Sequence, residues 1–242
     1  MSKYKVKGIT GRLIRINLTD QKISKEALDP QLFVDFLGAR GLGARLLYEE
    51  LEPKIDPLSY KNKLIFMTGP LEGTLAPGAN KATVSFKSPL TETYSVSNCG
   101  GHFAVEMKFA GYDGIIIEGR SETPVYILIN DDDVEIKDAS HLWGKLTHET
   151  DKAIREELND RDLEIACIGP AGESLVRFAC IQADYHREFG RGGAGAVMGA
   201  KNLKAIVVKG TGYVEVEDPK MLEEITKKVY KTLGESPKAQ VR

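Results

Sequence analysis

Cysteine is scarce in this 242-residue chain: Cys99, Cys167 and Cys180 are the only three, and none lies close to another. An odd number without clustering supports neither a disulfide framework nor a self-contained zinc or iron–sulfur site. Excess charge of one sign is also missing. A net charge of −2 excludes a general nucleic-acid or membrane-surface binder, which needs a concentrated surplus of Lys and Arg, so any basic site must be local. No apolar run approaches the length of a membrane span, and Met1 to Thr10 lacks the apolar stretch of a secretory signal. The expectation is a cytoplasmic protein with no membrane and no nucleic-acid partner. Disorder is excluded as well, because 42% hydrophobic and 28% charged content can bury a core as one large or two small domains. Cys167 and Cys180 lie in apolar, strand-like runs and are read as core residues.

Glycine, by contrast, is concentrated. His186-Arg187-Glu188-Phe189-Gly190-Arg191-Gly192-Gly193-Ala194-Gly195 is followed by Gly199 and Lys201, then by the apolar run Ala205 to Val208. Glycine lets backbone N–H groups approach a ligand and takes up positive φ, while Arg and Lys supply fixed positive charge. The stretch reads either as a cradle for a phosphate-bearing anion or as a glycine-rich helix start packed tightly on a sheet.

From Lys63 onward the chain says the same thing twice. Leu64-Ile65-Phe66-Met67-Thr68-Gly69-Pro70 matches Glu164-Ile165-Ala166-Cys167-Ile168-Gly169-Pro170. Each is followed by a strand-like run, Ala82 to Phe86 and Leu175 to Cys180, and by a polar loop ending in Gly-Gly, at Asn98-Cys99-Gly100-Gly101 and at Gly190-Arg191-Gly192-Gly193. A short helix and a closing strand complete each copy, Gly114 to Gly119 and Ala205 to Gly210. The copies span about 64–120 and 164–211. The fold expected is α+β, with duplicated β-sheet units related by a pseudo-twofold axis that sets the two Gly-Gly loops side by side, as for a ligand that is itself doubled.

The remaining segments read more simply. Gly11 to Lys25 predicts a hairpin turning at Thr19-Asp20-Gln21. Two helices with Leu32, Phe33, Phe36 and Leu37, then Leu42, Leu46, Leu47 and Leu51, flank Gly38-Ala39-Arg40-Gly41-Leu42-Gly43, which suits close helix packing better than a ligand. Val125 to Ile129 and Val134 to Ile136 flank Asn130-Asp131-Asp132-Asp133, read as a solvated acidic turn rather than a metal site. A helix is expected over 147–159, with His141 and Trp143 packing before it. Tyr213 to Val216 reads as a short strand, and Asp218-Pro219 starts a helix with Leu222, Ile225, Val229 and Leu233 on one face. The ending from Pro237 to Arg242 reads as a linker, which puts the boundary of the main domain near 212 and a helix-and-linker segment over 213–242.

Several of these pieces together resemble the N-terminal domain of the tungsten-containing aldehyde:ferredoxin oxidoreductases. They are Gly38 to Ala44, Thr68-Gly69-Pro70-Leu71 with Leu75-Ala76-Pro77-Gly78, Asn98-Cys99-Gly100-Gly101, Lys108-Phe109-Ala110-Gly111-Tyr112-Asp113, and His186 through Ala205. The likeness runs from about Gly11 to Leu233. It implies a base of two related sheet units, each serving one half of a bis-pterin carrying tungsten or molybdenum, with a magnesium ion bridging the pterin phosphates. The positions matching the magnesium-binding backbone carbonyls are Asn98 and Glu188; a hard cation between phosphates favours such oxygens. Arg187 matches a cofactor-contacting arginine, and Lys81 stands where the first unit commonly has its own, keeping the charge without the bidentate fork. The cofactor-binding set implied is Lys81, Asn98, Cys99, Gly100, Gly101, His186, Arg187, Glu188, Gly190, Arg191, Gly192, Gly193 and Gly195, with Cys99 beside the metal but not ligating it.

What the family has and this sequence lacks is the Cys-x-x-Cys-x-x-x-Cys motif with its distant fourth cysteine, and no residue stands out as an acid or base for aldehyde chemistry. The resemblance therefore implies a C-terminal domain or subunit that holds the 4Fe–4S cluster and passes electrons to ferredoxin, with a homo-oligomer also open. Two other readings remain: a stand-alone pterin-cofactor carrier or assembly protein, and a nucleotide-binding module using the glycines at 190–199. The last requires a strand directly before the glycines and an acidic residue about twenty positions after them, and Asp184-Tyr185-His186 makes a poor strand.

Overall fold

The computed structural model describes residues 6–236. The chain opens with the hairpin β1 (Arg12–Asn17) and β2 (Lys22–Ala27), then the helices α1 (Pro30–Phe36) and α2 (Ala39–Glu50). Helix α1 starts where a sequence reading would start it: Asp29 accepts the Gln31 N–H, and Pro30 fits the first turn, where no amide donor is needed. Next come β3 (Leu64–Met67), β4 (Ala82–Lys87), β5 (Tyr94–Cys99), α3 (Phe103–Phe109) and β6 (Gly114–Glu118). A second series follows: β7 (Val125–Asn130), β8 (Asp133–Asp138), α4 (Thr147–Glu157), β9 (Glu164–Cys167), the single turn α5 (Pro170–Glu173), β10 (Ile181–Ala183), β11 (Arg187–Phe189), α6 (Ala194–Ala200) and β12 (Leu203–Lys209). Helix α7 (Pro219–Glu235) comes last.

The strands form two six-stranded sheets, ordered β2-β1-β6-β3-β4-β5 and β8-β7-β12-β9-β10-β11. The two orders correspond strand for strand. In each, one pair is parallel, β1 with β6 and β7 with β12, and every other pair is antiparallel. The duplication is therefore real and larger than the sequence shows. Each unit begins one hairpin earlier than expected, so the units are 12–118 and 125–209, and the acidic hairpin placed between the copies is the first hairpin of the second.

Period-2 alternation sorts the strands into layers. Ile14, Ile16, Leu64, Phe66, Ile115 and Ile117 from one sheet and Ala166, Ile168, Ile206 and Val208 from the other share a central core with Phe103, Met107, Val197 and Met198 of α3 and α6. The alternate residues Leu13, Ile65, Met67 and Ile116 face α1 and α2, while Tyr126, Ile165, Cys167 and Val207 face Ile154 of α4. Burial on both faces is why these strands read as unbroken apolar runs. Three buried rings close the centre: Phe66 lies 6.1 Å from Phe103 and 5.5 Å from Phe189, edge to face. Lys201, also fully buried, donates to the carbonyls of Asn62 at 2.5 Å and Gly119 at 2.9 Å, tying the second unit to the end of the first.

Four expectations need correction. The second unit's middle strand is not Leu175 to Cys180 but β10 at Ile181–Ala183; Leu175 sits at φ 58°, and 175–180 wraps around the start of α6. Cys180 is consequently exposed, while Cys167 is buried as expected. His141 is exposed and pairs with Glu157 at 3.0 Å instead of packing. Tyr213 to Val216 is extended but joins no sheet, although Gly8 N–H donates to Glu215 O at 2.8 Å. The acidic turn is exposed, as expected, and also meets the other unit: Asp132 takes Arg12 at 2.6 Å and Tyr112 OH at 3.1 Å.

Candidate functional site

Strands β5 and β11 end their sheets, and these two edges meet. Registers show equivalent positions there. Asn98 is opposite Thr83, the second residue of β4, and Glu188 is opposite Gln182, the second residue of β10. Both side chains are exposed. Five residues on from Asn98, α3 begins; six on from Glu188, α6 begins. The two glycine loops fill those intervals and lie face to face along the seam.

Contacts across the seam come from opposite units. Gly101 (φ 111°) rests on Asp184, and a Cβ there would collide with that carboxylate and meet Arg187 Cγ at 3.4 Å. The Asp184 carboxylate also accepts the His102 N–H. In return, Ser88 Oγ donates to Gly192 O at 2.6 Å, and Arg191 N–H donates to Ser97 Oγ at 3.0 Å.

Above these contacts the surface is open and cationic. Lys81, Arg187 and Arg191 are exposed, and among the described residues no carboxylate stands within 4.0 Å of their charged nitrogens. His102 and His186 are exposed nearby. A Cβ added at Gly100 or Gly190 would find its nearest neighbour only at 3.9 Å, so among the described residues nothing crowds either glycine. Unpaired guanidinium and ammonium groups beside uncovered backbone suit an anionic ligand.

Not every expected residue faces the seam. Gly193 (φ 83°) is buried against Arg177 O, and Gly195 is buried against Cys180 O while its N–H donates to Ala179 O at 2.9 Å. At these two positions tight helix packing, not ligand approach, is what needs glycine. Cys99 is turned inward, 3% exposed, with its thiol donating to Gly100 O at 3.3 Å. Burial, then the charges of Asp184 and Glu188, push that thiol up to about 12, so it is a neutral core group at physiological pH. Only the backbone of Cys99 borders the seam. Similarly, Gly43 of the smaller glycine cluster packs α2 onto Ser85 and Met67.

Sequence reasoning missed Asp184, Glu164, Ser88 and Ser97. Asp184 and Tyr185 take φ 49° and 57° in the tight turn joining β10 to β11, where Asp is tolerated. The available signal was the pair of short alternating runs, Ile181-Gln182-Ala183 and Arg187-Glu188-Phe189, around a polar turn. Burial and Asp184 hold the neighbouring Glu164 carboxyl well above its ordinary range. Asp184, Glu164, His102, Arg155 and Tyr185 line one cavity of about 800 Å³ beside the seam.

Two sheets of matched order joined at their edges define an internally duplicated α+β platform. The chain belongs to the aldehyde ferredoxin oxidoreductase family, whose N-terminal domain model matches residues 13–210. It is 52% identical over 93% of its length to the tungsten-containing aldehyde ferredoxin oxidoreductase of Pyrococcus abyssi, covering 37% of that protein. It is 38% identical over 92% of its length to the aliphatic sulfonate oxidoreductase, WOR-like subunit, of Pyrococcus furiosus, covering 38% of it. Among solved structures, the active-site complex BamBC of benzoyl coenzyme A reductase with 1,5-dienoyl-CoA superposes with a TM-score of 0.92 at 42% identity, over 94% of this chain and 35% of that one. The chain thus spans a little over a third of the length of these relatives. Among the described residues no helix is long and apolar enough to cross a membrane.

Proposed function

We propose that this chain is the tungstopterin-binding N-terminal portion of a cytoplasmic aldehyde:ferredoxin oxidoreductase, which converts aldehydes to carboxylates and passes the electrons to ferredoxin. The observation that carries the reading is the seam: two equivalent glycine loops, each with an uncrowded glycine at Gly100 or Gly190, beside the unpaired cations Lys81, Arg187 and Arg191. A doubled anionic group fits that arrangement. Residues 1–212 form the binding domain, and 213–242 lead toward a C-terminal domain or subunit holding a 4Fe–4S cluster.

A tungsten bis-pterin would supply the redox centre when bound. The chain's own residues hold and orient it. Arg187 and Arg191 offer planar forks to phosphate from the second unit, and Lys81 offers a point charge from the first. The backbone oxygens of Asn98 and Glu188 would hold a magnesium ion, which would neutralise phosphate charge there. Among the described residues no three His, Cys, Asp or Glu side chains gather to hold a metal, so such an ion depends on backbone and ligand oxygens. The Cys99 thiol stays neutral and leaves the redox metal to its sulfur-rich cofactor. Helix α7 supports a partner: Thr226 anchors it to Leu75 O at 3.0 Å, while Met221, Ile225 and Leu233 stay at least half exposed.

The test is elemental analysis of the chain produced in its own host together with the C-terminal part. About one tungsten per chain with magnesium is expected; an assembled, metal-free protein overturns the reading. The carrier alternative predicts that the chain retains the cofactor with no C-terminal part present.

A further inference from the structure

The seam contacts run crosswise, and this has a functional consequence. The first unit's loop is held by the second unit, through Asp184 against Gly101 and the His102 amide. The second unit's loop is held by the first, through Ser88 on Gly192 O and Ser97 on the Arg191 amide. Both serines are buried, at 0% and 2% exposure. Ser88 is further fixed by accepting the Leu90 and Thr91 N–H groups at 3.1 Å each, so its hydroxyl proton points to Gly192. Gly192 (φ 75°) leaves no slack: a Cβ there would stand 3.1 Å from Phe86 Cζ of the opposite unit.

The Asp184 Oδ1 is buried and meets no donor among the described residues, and burial with Asp184 beside it raises the pKa of the neighbouring Glu164 carboxyl. Asp184 presents Oδ2 to the other unit.

We propose that Asp184 is a positioning residue for the 100–102 loop, and Ser88 and Ser97 for the 190–193 loop, so that the two halves of the ligand site order each other. This rests on the cofactor-platform reading for its purpose, though not for its test. Loops fixed within their own units would order independently. Loops held from the opposite unit each lose order when that unit's contact is removed, and the other loop does not.

Amide hydrogen exchange on the full ligand-free chain distinguishes these cases. Asp184→Ala is expected to speed exchange over 100–103 by about 10- to 100-fold, the loss of one charge-assisted hydrogen bond, while 190–193 keeps most of its protection. Ser88→Ala with Ser97→Ala is expected to do the reverse. Asp184→Asn keeps an acceptor oxygen and is expected to restore most of the protection lost in Asp184→Ala, as a bulk structural role would not. In the assembled holoenzyme, Asp184→Ala is expected to speed tungsten release at least 10-fold, and Asp184→Asn to restore most of the retention. Acceleration in the substituted residue's own unit, at both loops alike or at neither overturns the proposal; if Asp184→Ala fails to fold, the Asp184→Asn and serine variants decide it by the same pattern. Absence of tungsten from the wild-type assembly would overturn the cofactor reading and leave the exchange pattern standing.

Discussion

Lys108 and Asp113 are both wholly buried, and their pairing can be broken from either end. The motif that contains them ends α3: Gly111, at φ 90°, reverses the chain, with Tyr112 N–H returning to Met107 O at 3.0 Å and Gly111 N–H to Lys108 O at 3.0 Å. That reversal brings Asp113 back beneath Lys108, five residues on, at 2.5 Å. Asp113 Oδ2 takes three more donors, Thr10 N–H at 2.9 Å, Thr10 Oγ1 at 3.0 Å and Gly11 N–H at 2.7 Å, and Lys108 Nζ also reaches Gly8 O at 2.8 Å. The pair pins residues 8–11 to the base of the helix whose other end carries the first glycine loop.

Removing one partner of a buried, hydrogen-bonded ion pair costs about 3–5 kcal/mol, because the other charge is stranded away from water. Asp113→Ala should lie at the upper end, since the ammonium keeps only Gly8 O and three donors lose their acceptor. Lys108→Met should lie at the lower end, since the carboxylate keeps its three donors. Against a total stability of about 5–15 kcal/mol for a domain, either loss is large. The double variant Lys108→Met with Asp113→Ala strands no charge, and its loss should fall short of the summed single losses by at least about 2 kcal/mol. Urea unfolding with a shared m value measures all three. Single losses under about 1 kcal/mol, or strict additivity, would refute the reasoning.

Gly193→Ala forces a side chain into a left-handed position against Arg177 O and should cost at least about 1–2 kcal/mol, while Gly190→Ala, with open space around it, should stay within about 0.5 kcal/mol; thermal denaturation compares them, and equal losses would contradict the packing assignment. Burial first, then Asp184, raises the Glu164 carboxyl above its ordinary 4.5. A group raised in this way favours folding below its ordinary value and loses that contribution as pH climbs through the raised one. Glu164→Gln, which fixes the neutral form, should therefore gain on the wild type progressively above about pH 4.5, as read from urea midpoints across a pH series; a pH-independent difference would show that Glu164 is ionised in the folded chain. Arg187→Ala and Arg191→Ala should each weaken cofactor retention roughly 10-fold or more, as expected for a charge-assisted contact, with Lys81→Arg strengthening it; retention unchanged in both arginine variants would place the anion elsewhere.

How much of this was legible in the sequence depended on whether the signal was local. The runs Leu64–Met67, Ile115 to Ile117 and Ala205 to Val208 announce themselves because burial on both faces leaves no polar interruption. Leu175 to Cys180 misleads for the same reason: it is more apolar than Ile181–Ala183, yet it must bend around Gly193 and Gly195 and cannot lie straight in a ladder. The first hairpins of the two units differ too much in sequence to be matched, and only the shared strand order pairs them. At the seam, glycines and arginines were visible because they are unusual in composition. Asp184, Ser88 and Ser97 were not, because each acts on a loop about 80 to 100 residues away.

The duplication is exact in topology and loose in chemistry. The residue just before β4 is Lys81, and its equivalent just before β10 is the neutral, exposed Cys180. Asn98 is neutral where Glu188 is acidic. The second unit, whose loop is one residue longer, adds Arg187 and Arg191. Lys81 gives the first unit one positive charge at the seam, while in the second unit Glu188 and the seam carboxylate Asp184 offset Arg187 and Arg191. Beneath both, Phe66 and Phe103 of one unit enclose Phe189 of the other, so neither half of the floor can form alone.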